Sequence, residues 1–152
     1  MKKIFFIFML FLVLTLSSCS HIEDTNGPDD YSLVTLTEDD ILNRPNSTIT
    51  VGTIQSNSKI GNKAQGSYSA TKISGVTTIA EYNTINSSIS FEISFTCSEG
   101  NGLLAIVSNG EIVKLINPNE TLSFTLNNSG YQYKIVVAGE SAKLKVTYTI
   151  NS

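Results

Sequence analysis

Three kinds of side chain in this sequence could do chemistry: one histidine, His21; two cysteines, Cys19 and Cys97; and thirteen carboxylates. Nucleophilic catalysis of the Ser/His/Asp or Cys/His kind needs an imidazole held rigidly beside its partner. His21 lies in Ser20–Asp30, a stretch whose one aliphatic side chain is Ile22, so nothing near it in sequence can build a pocket. A zinc site of ordinary composition fails on the same count of ligands. Cys97 continues the apolar alternation Ile89, Phe91, Ile93, Phe95 and reads as a small buried hydrophobe, not as a reactive thiol. Glycoside hydrolysis needs two carboxylates facing each other across a cleft. Glu81, Glu92, Glu99, Glu111, Glu120 and Glu140 are the only acids beyond residue 40, and no two of them stand out as a pair. Seven acids precede Ile41, Glu23, Asp24, Asp29, Asp30, Glu38, Asp39 and Asp40, a cluster that would suit calcium, but their spacing matches no EF-hand loop and solvated charge explains them. No glycine-rich phosphate loop runs from a strand into a helix. Asn46, Asn86, Asn119 and Asn127 head Asn-x-Ser/Thr triplets, as chance supplies in a chain about a third Ser, Thr and Asn. The expectation is a protein with no catalytic residue, no metal and no cofactor.

The element that places everything else is the leader. Lys2 and Lys3 give a positive start, Ile4 to Leu16 is apolar apart from Thr15, and Ser17 and Ser18 lead into Cys19. That is the layout of a secretory signal. As a helix, Ile4–Leu16 would span about 20 Å, short of the roughly 30 Å of a bilayer's hydrocarbon core, so a membrane-spanning anchor is not expected. The end of the run, Leu16-Ser17-Ser18-Cys19, resembles the lipobox of bacterial lipoproteins. The resemblance implies cleavage between Ser18 and Cys19, a diacylglyceryl thioether on Cys19, usually an acylated amino group, and membrane anchoring with the domain on the extracytoplasmic side of the cell membrane or outer membrane. Two or three acyl chains anchor stably where one does not.

Residues 1–18 are therefore expected as a cleaved signal peptide, residues 19–30 as an acidic flexible tether and residues 31–152 as one domain. Four carboxylates and a Gly-Pro break keep the tether from burying enough surface to offset its ordering entropy. Glu23 and Asp24 also resemble the acidic signal that sends some Bacteroidetes lipoproteins to the cell surface. Without Lys2 and Lys3, eight basic residues face thirteen acids, a formal charge of −5 that argues against nucleic acid and against electrostatic docking on anionic lipid. With Cys19 lipidated, Cys97 has no partner in the chain, so the fold must rest on its core and not on a disulfide framework.

Strand patterns follow. The sequence predicts strands over 31–37 and 48–55, a loop over 56–66, and strands over 67–73 and 76–82 meeting at Ser74-Gly75. Ser88–Cys97 alternates over ten residues, the mark of a half-buried strand. Glu99–Gly102 is read as a turn, and Leu103–Val107 as the next strand. Asn109-Gly110 between two apolar runs is a strong hairpin signal. Asn117-Pro118-Asn119 closes a strand over 111–116, and Leu122, Phe124 and Leu126 alternate with polar residues. Tyr131, Tyr133, Ile135 and Val137 share a face, Ala138–Ser141 is read as a turn, and Leu144, Val146, Tyr148 and Ile150 face inward on the last strand. No helical period of useful length follows residue 20.

These spacings predict an all-β fold, an antiparallel β-sandwich, jelly-roll-like, of about eight or nine strands behind the signal-peptide helix and the tether. Leu122-Ser-Phe, Gly130-Tyr-Gln-Tyr-Lys-Ile and the final strand resemble the end of small jelly-roll-like sandwich domains of secreted bacterial proteins, among them the pre-peptidase C-terminal type. The resemblance raises the sandwich reading and carries no site. What remains is a lipid-anchored, non-catalytic binding or envelope-structural module with a glycan or protein ligand. The alternatives are a carbohydrate-binding surface accessory, which would use exposed members of Tyr31, Tyr68, Tyr82, Tyr131, Tyr133 and Tyr148, and more remotely a hydrolase with a carboxylate pair.

Overall fold

The computed structural model describes residues 36–43, 48–127 and 132–152. The leader, Cys19, His21, the tether and most of the strand expected over 31–37 lie outside the described residues. The chain forms α1 (Glu38–Asn43), β1 (Thr48–Val51), β2 (Ile54–Ile60), β3 (Lys63–Asn83), β4 (Ser88–Ser108), β5 (Glu111–Ile116), β6 (Glu120–Asn127) and β7 (Gln132–Asn151). All strand pairings are antiparallel, and β7, the last strand in sequence, lies between β3 and β4. β1 and β2 follow one another along the outer side of β3, and β5 and β6 do the same along β4.

Three strands of about twenty residues each bend in the middle, so the seven-stranded sheet doubles over into two leaves. β1, β5 and the residues 73–83, 103–108 and 132–142 make the upper leaf; β2, β6 and the residues 63–70, 88–97 and 144–151 make the lower. The jelly-roll-like sandwich is as expected, but the strand divisions are not. Ser74-Gly75, Glu99–Gly102 and Ala138–Ser141 are bulged bends inside continuous strands. A turn would pair the runs on its two sides with each other. Here each run goes on to pair with the same neighbour, and the extra residues only sharpen the bend. Positive φ at Gly75, Gly100 and Ser141 makes the corner. Gly139 stands opposite both Gly75 and Gly102, where an added Cβ would come within 2.5 Å of Ile73 Cγ2.

Between the leaves lies the main core, in which Phe91, Phe95, Ile73, Ile79, Leu104 and Ile135 are almost wholly buried. Phe91 stacks on Phe124 at 5.2 Å between centroids and meets Tyr133 edge-on at 5.7 Å. A second cluster, Val76, Ala105, Val107, Val136 and Ala138, covers the other face of the upper leaf and is capped by Ile41 of α1. This explains why Leu103–Val107 and Ile135–Ala138 are apolar without alternation: both faces are buried.

The helix corrects the expectation that none follows the leader. At six residues it is too short to show a 3.6-residue period, and its signal is local. The Thr37 N–H and hydroxyl both donate to Asp40 Oδ2 at 2.9 Å, and the Asp40 N–H returns to Thr37, a reciprocal cap. Glu38, Asp39 and Asp40 thus fill the first turn, where the helix dipole favours negative charge. The loop expected over 56–66 is also corrected: it is most of β2, a two-residue turn and the start of β3. The Asn109-Gly110 hairpin forms as expected, with φ of 53° and 81°.

Candidate functional site: the flank closed by β2

β2 closes one flank of the sandwich with polar groups. Between Thr78 and Ala80 the register of β3 with β7 slips. The Ile79 carbonyl at this slip accepts from Gln55 Nε2 at 2.8 Å and from Asn57 Nδ2 at 3.3 Å. Gln55 and Asn57 belong to the lower leaf and Ile79 to the upper, so two side-chain amides bridge the leaves. A buried carbonyl without a partner costs about 1–3 kcal/mol, which is what these amides avert.

Tyr148 completes the seam. Its ring lies across β3 at Gly66, and its hydroxyl donates to Asn57 Oδ1 at 2.6 Å. A Cβ at residue 66 would run into that hydroxyl and would stand 2.6 Å from the Ser56 carbonyl oxygen, so this route needs glycine. Nearer the turn, the Tyr82 hydroxyl donates to the Asn62 carbonyl at 3.0 Å and accepts from Ser152 Oγ at 2.8 Å. Lys59 Nζ sits 4.6 Å over the Tyr82 ring. Burial pushes the Tyr148 hydroxyl up from its ordinary pKa; burial does the same at Tyr68, offset in part by the Thr53 side chain.

The seam leaves shallow pockets on either side of β2. One of about 380 Å³ is lined by Ser56, Asn57, Gln65 and Tyr148, and one of about 410 Å³ by Lys59, Asn62, Tyr82, Thr84 and Ile85. A third, about 340 Å³, lies where α1 meets the β4–β5 hairpin beside Lys134. A fourth, about 190 Å³, is the only one of the four with a carboxylate, Glu81. Among the described residues no group of three His, Cys, Asp or Glu side chains converges as a metal site would require.

The residues singled out in sequence are not brought together. Cys19, Ser18, His21, Glu23 and Asp24 lie outside the described residues, as do Asn46, Tyr31 and Tyr131. Glu81 pairs with Lys134 at 3.3 Å, Glu99 with Lys143 at 3.2 Å, and Glu120 accepts from the Asn117 backbone and side chain at 3.3 and 3.2 Å. Cys97 is half-buried, its thiol donating to the Glu99 carbonyl at 3.3 Å. Burial pushes that thiol's pKa up, and the Glu99 backbone contact offsets part of the shift. Tyr68, Tyr82, Tyr133 and Tyr148 are all buried, so the described tyrosines form no ring platform on the surface. Sequence reading missed Gln55 and Asn57, whose shared acceptor is a backbone carbonyl more than twenty residues away. The signal available was the alternation of Gln55, Asn57 and Lys59 with Ile54, Ser56, Ser58 and Ile60.

No protein-family model matches the sequence, and no curated protein sequence does. Among solved structures, the chain is similar to one from the disulfide-linked pili of Bacillus endospore appendages, at 16% identity and a TM-score of 0.40 over 67% of this chain and 90% of that one. It is also similar to a cupin domain from Bordetella pertussis, at 9% identity and 0.35 over 68% and 98%. An RmlC-like cupin protein from Desulfovibrio desulfuricans matches at 14% identity and 0.35 over 65% and 81%. Likenesses this distant bring neither an activity nor an assembly to this chain; the β-sandwich itself stands on the strand pairings above.

Proposed function

We propose that this chain is a bacterial lipoprotein, exported, cleaved between Ser18 and Cys19, and held to the extracytoplasmic face of a membrane by lipid on the Cys19 thiol. Its β-sandwich then serves as a non-catalytic binding or envelope-structural module. The observation that carries the reading is Leu16-Ser17-Ser18-Cys19 at the end of a thirteen-residue, largely apolar run behind Lys2 and Lys3. The non-catalytic part is supported by where the described acids lie: Glu81 and Glu99 in ion pairs and Glu120 in a turn. With Tyr68, Tyr82, Tyr133 and Tyr148 buried, the described tyrosines offer sugars no stacking surface, which favours a protein ligand over a glycan. Glu23 and Asp24 support display on the cell surface, and the net charge of the exported part speaks against nucleic acid.

Metabolic labelling with a fatty acid tests the anchor. The native chain should take up label and fractionate with membranes, and Cys19→Ser should lose both; label retained by Cys19→Ser would sink the reading. Protease treatment of intact cells then separates surface display from an inward-facing location.

A further inference from the structure

β2 is exposed along its whole length, and among the described residues nothing covers its outward apolar side chains: Ile54 and Ile60 are 71% and 82% accessible. Among the described residues it is an edge strand of the lower leaf, paired on one side only, with β3. We infer that β2 is a self-pairing edge, and that two copies of this chain join antiparallel through it about a twofold axis at Asn57.

The register follows from the chain itself. Ile60 and Lys63 flank a two-residue turn, and the pair flanking such a turn exchanges its backbone hydrogen bonds. Ile60, Ser58, Ser56 and Ile54 therefore point their N–H and C=O groups at β3, and Gln55, Asn57 and Lys59 point theirs at the open edge. An antiparallel partner must meet those three residues. With Asn57 opposite the partner's Asn57, Gln55 faces the partner's Lys59 and Lys59 the partner's Gln55, so the backbone phase is satisfied and about six new hydrogen bonds form.

The same register sets the side chains. Ile54 lies opposite the partner's Ile60, twice over by symmetry, and Ser56 lies opposite the partner's Ser58. The only charge on β2 is Lys59, which meets a neutral amide. Edge strands of monomeric proteins are commonly guarded by charge, proline or bulges, and β2 has no proline and no acid. Its side chains on the sandwich side, Gln55 and Asn57, are already bound to Ile79, which fixes the strand in the extended form a partner needs. Occupants other than a second copy would lack this symmetric match of isoleucines.

A single seven-residue strand pair is smaller than a standard stable interface, so the dimer is expected to be weak. Sedimentation of the full chain in detergent, from about 1 to 200 µM, reads it. The native chain should pass from monomer to dimer over that range. Ile54→Lys with Ile60→Lys places two lysines opposite two lysines and should weaken the dimer at least about tenfold. Ile54→Glu with Ile60→Lys places each glutamate opposite a lysine and should restore it. Both doubles alter only exposed side chains. A native chain that stays monomeric to 200 µM overturns the inference, as does a dimer that responds alike to the two double variants.

Discussion

The two outer borders of the sheet, β1–β2 and β5–β6, occupy equivalent places and are built on opposite plans. β6 sends Leu122, Phe124 and Leu126 inward against the core, with Phe124 stacked on Phe91, and β5 adds the buried Ile116. Glu111 and Lys114 put charge along β5, the Lys114 ammonium 5.8 Å over the Phe124 ring, and Pro118 interrupts the border at its corner. β2 does the reverse. It sends the amides of Gln55 and Asn57 inward and leaves Ile54 and Ile60 outside, while β1 leaves Ile49 and Val51 exposed as well. One border is sealed by apolar packing and carries charge of both signs; the other is sealed by hydrogen bonds and carries the single charge of Lys59. A sandwich flank can thus be closed by side-chain amides on a bulged carbonyl, which releases the strand's apolar residues for contact with something else.

The sharpest way to break the packed border is Phe91→Ala. It removes a fully buried ring from between Phe124 and Tyr133 and should cost about 3–5 kcal/mol by denaturant titration, with the largest loss of amide protection in β6. Gly139→Ala acts on both borders at once, because its methyl group meets Ile73 at the corner from which both leaves leave. About 1–3 kcal/mol should be lost, with no preference for either border in hydrogen exchange.

The hydrogen-bonded border is tested more gently. Tyr148→Phe deletes one hydrogen bond to Asn57 and should cost about 0.5–1.5 kcal/mol, visible as faster exchange in β2 while β6 is unchanged. The border also has a pH signature. Tyr68 and Tyr148 have pKa values raised above 10.0 by burial, as Cys97 has above 9.0, so their neutral forms are favoured in the folded chain. Their contribution is fully present below those ordinary values and is lost as pH rises from them through the raised folded values. Thermal stability should therefore be flat up to about pH 9 and fall beyond it, and Tyr148→Phe should shrink the fall.

The smallest effect on stability comes from removing a charge from β5. Glu111→Val, beside the already exposed Val113, gives β5 more of the exposed β-branched character of β1. Monomer stability should move by less than about 0.5 kcal/mol, while light scattering shows association that the native β5 resists.

Much of this was legible from the residues. The alternation of Ile89, Phe91, Ile93 and Phe95 places the lower leaf's core, and Asn109-Gly110 fixes the β4–β5 hairpin. The bends were misread because a bulge and a turn are written with the same residues: Ser74-Gly75, Glu99–Gly102 and Ala138–Ser141 differ from hairpin turns only in what the flanking runs pair with. The upper leaf's second buried face was written in Val136 and Ala138, but its cover is a six-residue helix behind an acidic run that also reads as solvent-facing charge. β2 was hidden because it is held by amides and not by burial, and the acceptor of Gln55 and Asn57 has no side-chain signal at all.

The place of β7 has a temporal consequence. It is the strand to which both β3 and β4 are zipped, and it is the last strand to be synthesised. Until it emerges, the earlier segments can form only two separate hairpin systems, β1–β2 with β3 and β4 with β5–β6, and neither can close the core between the leaves. The chain thus cannot complete its fold vectorially, and its pairings span long stretches of sequence, which slows closure further. If the chain is exported as proposed, that delay keeps its core open until β7 has followed the earlier strands across.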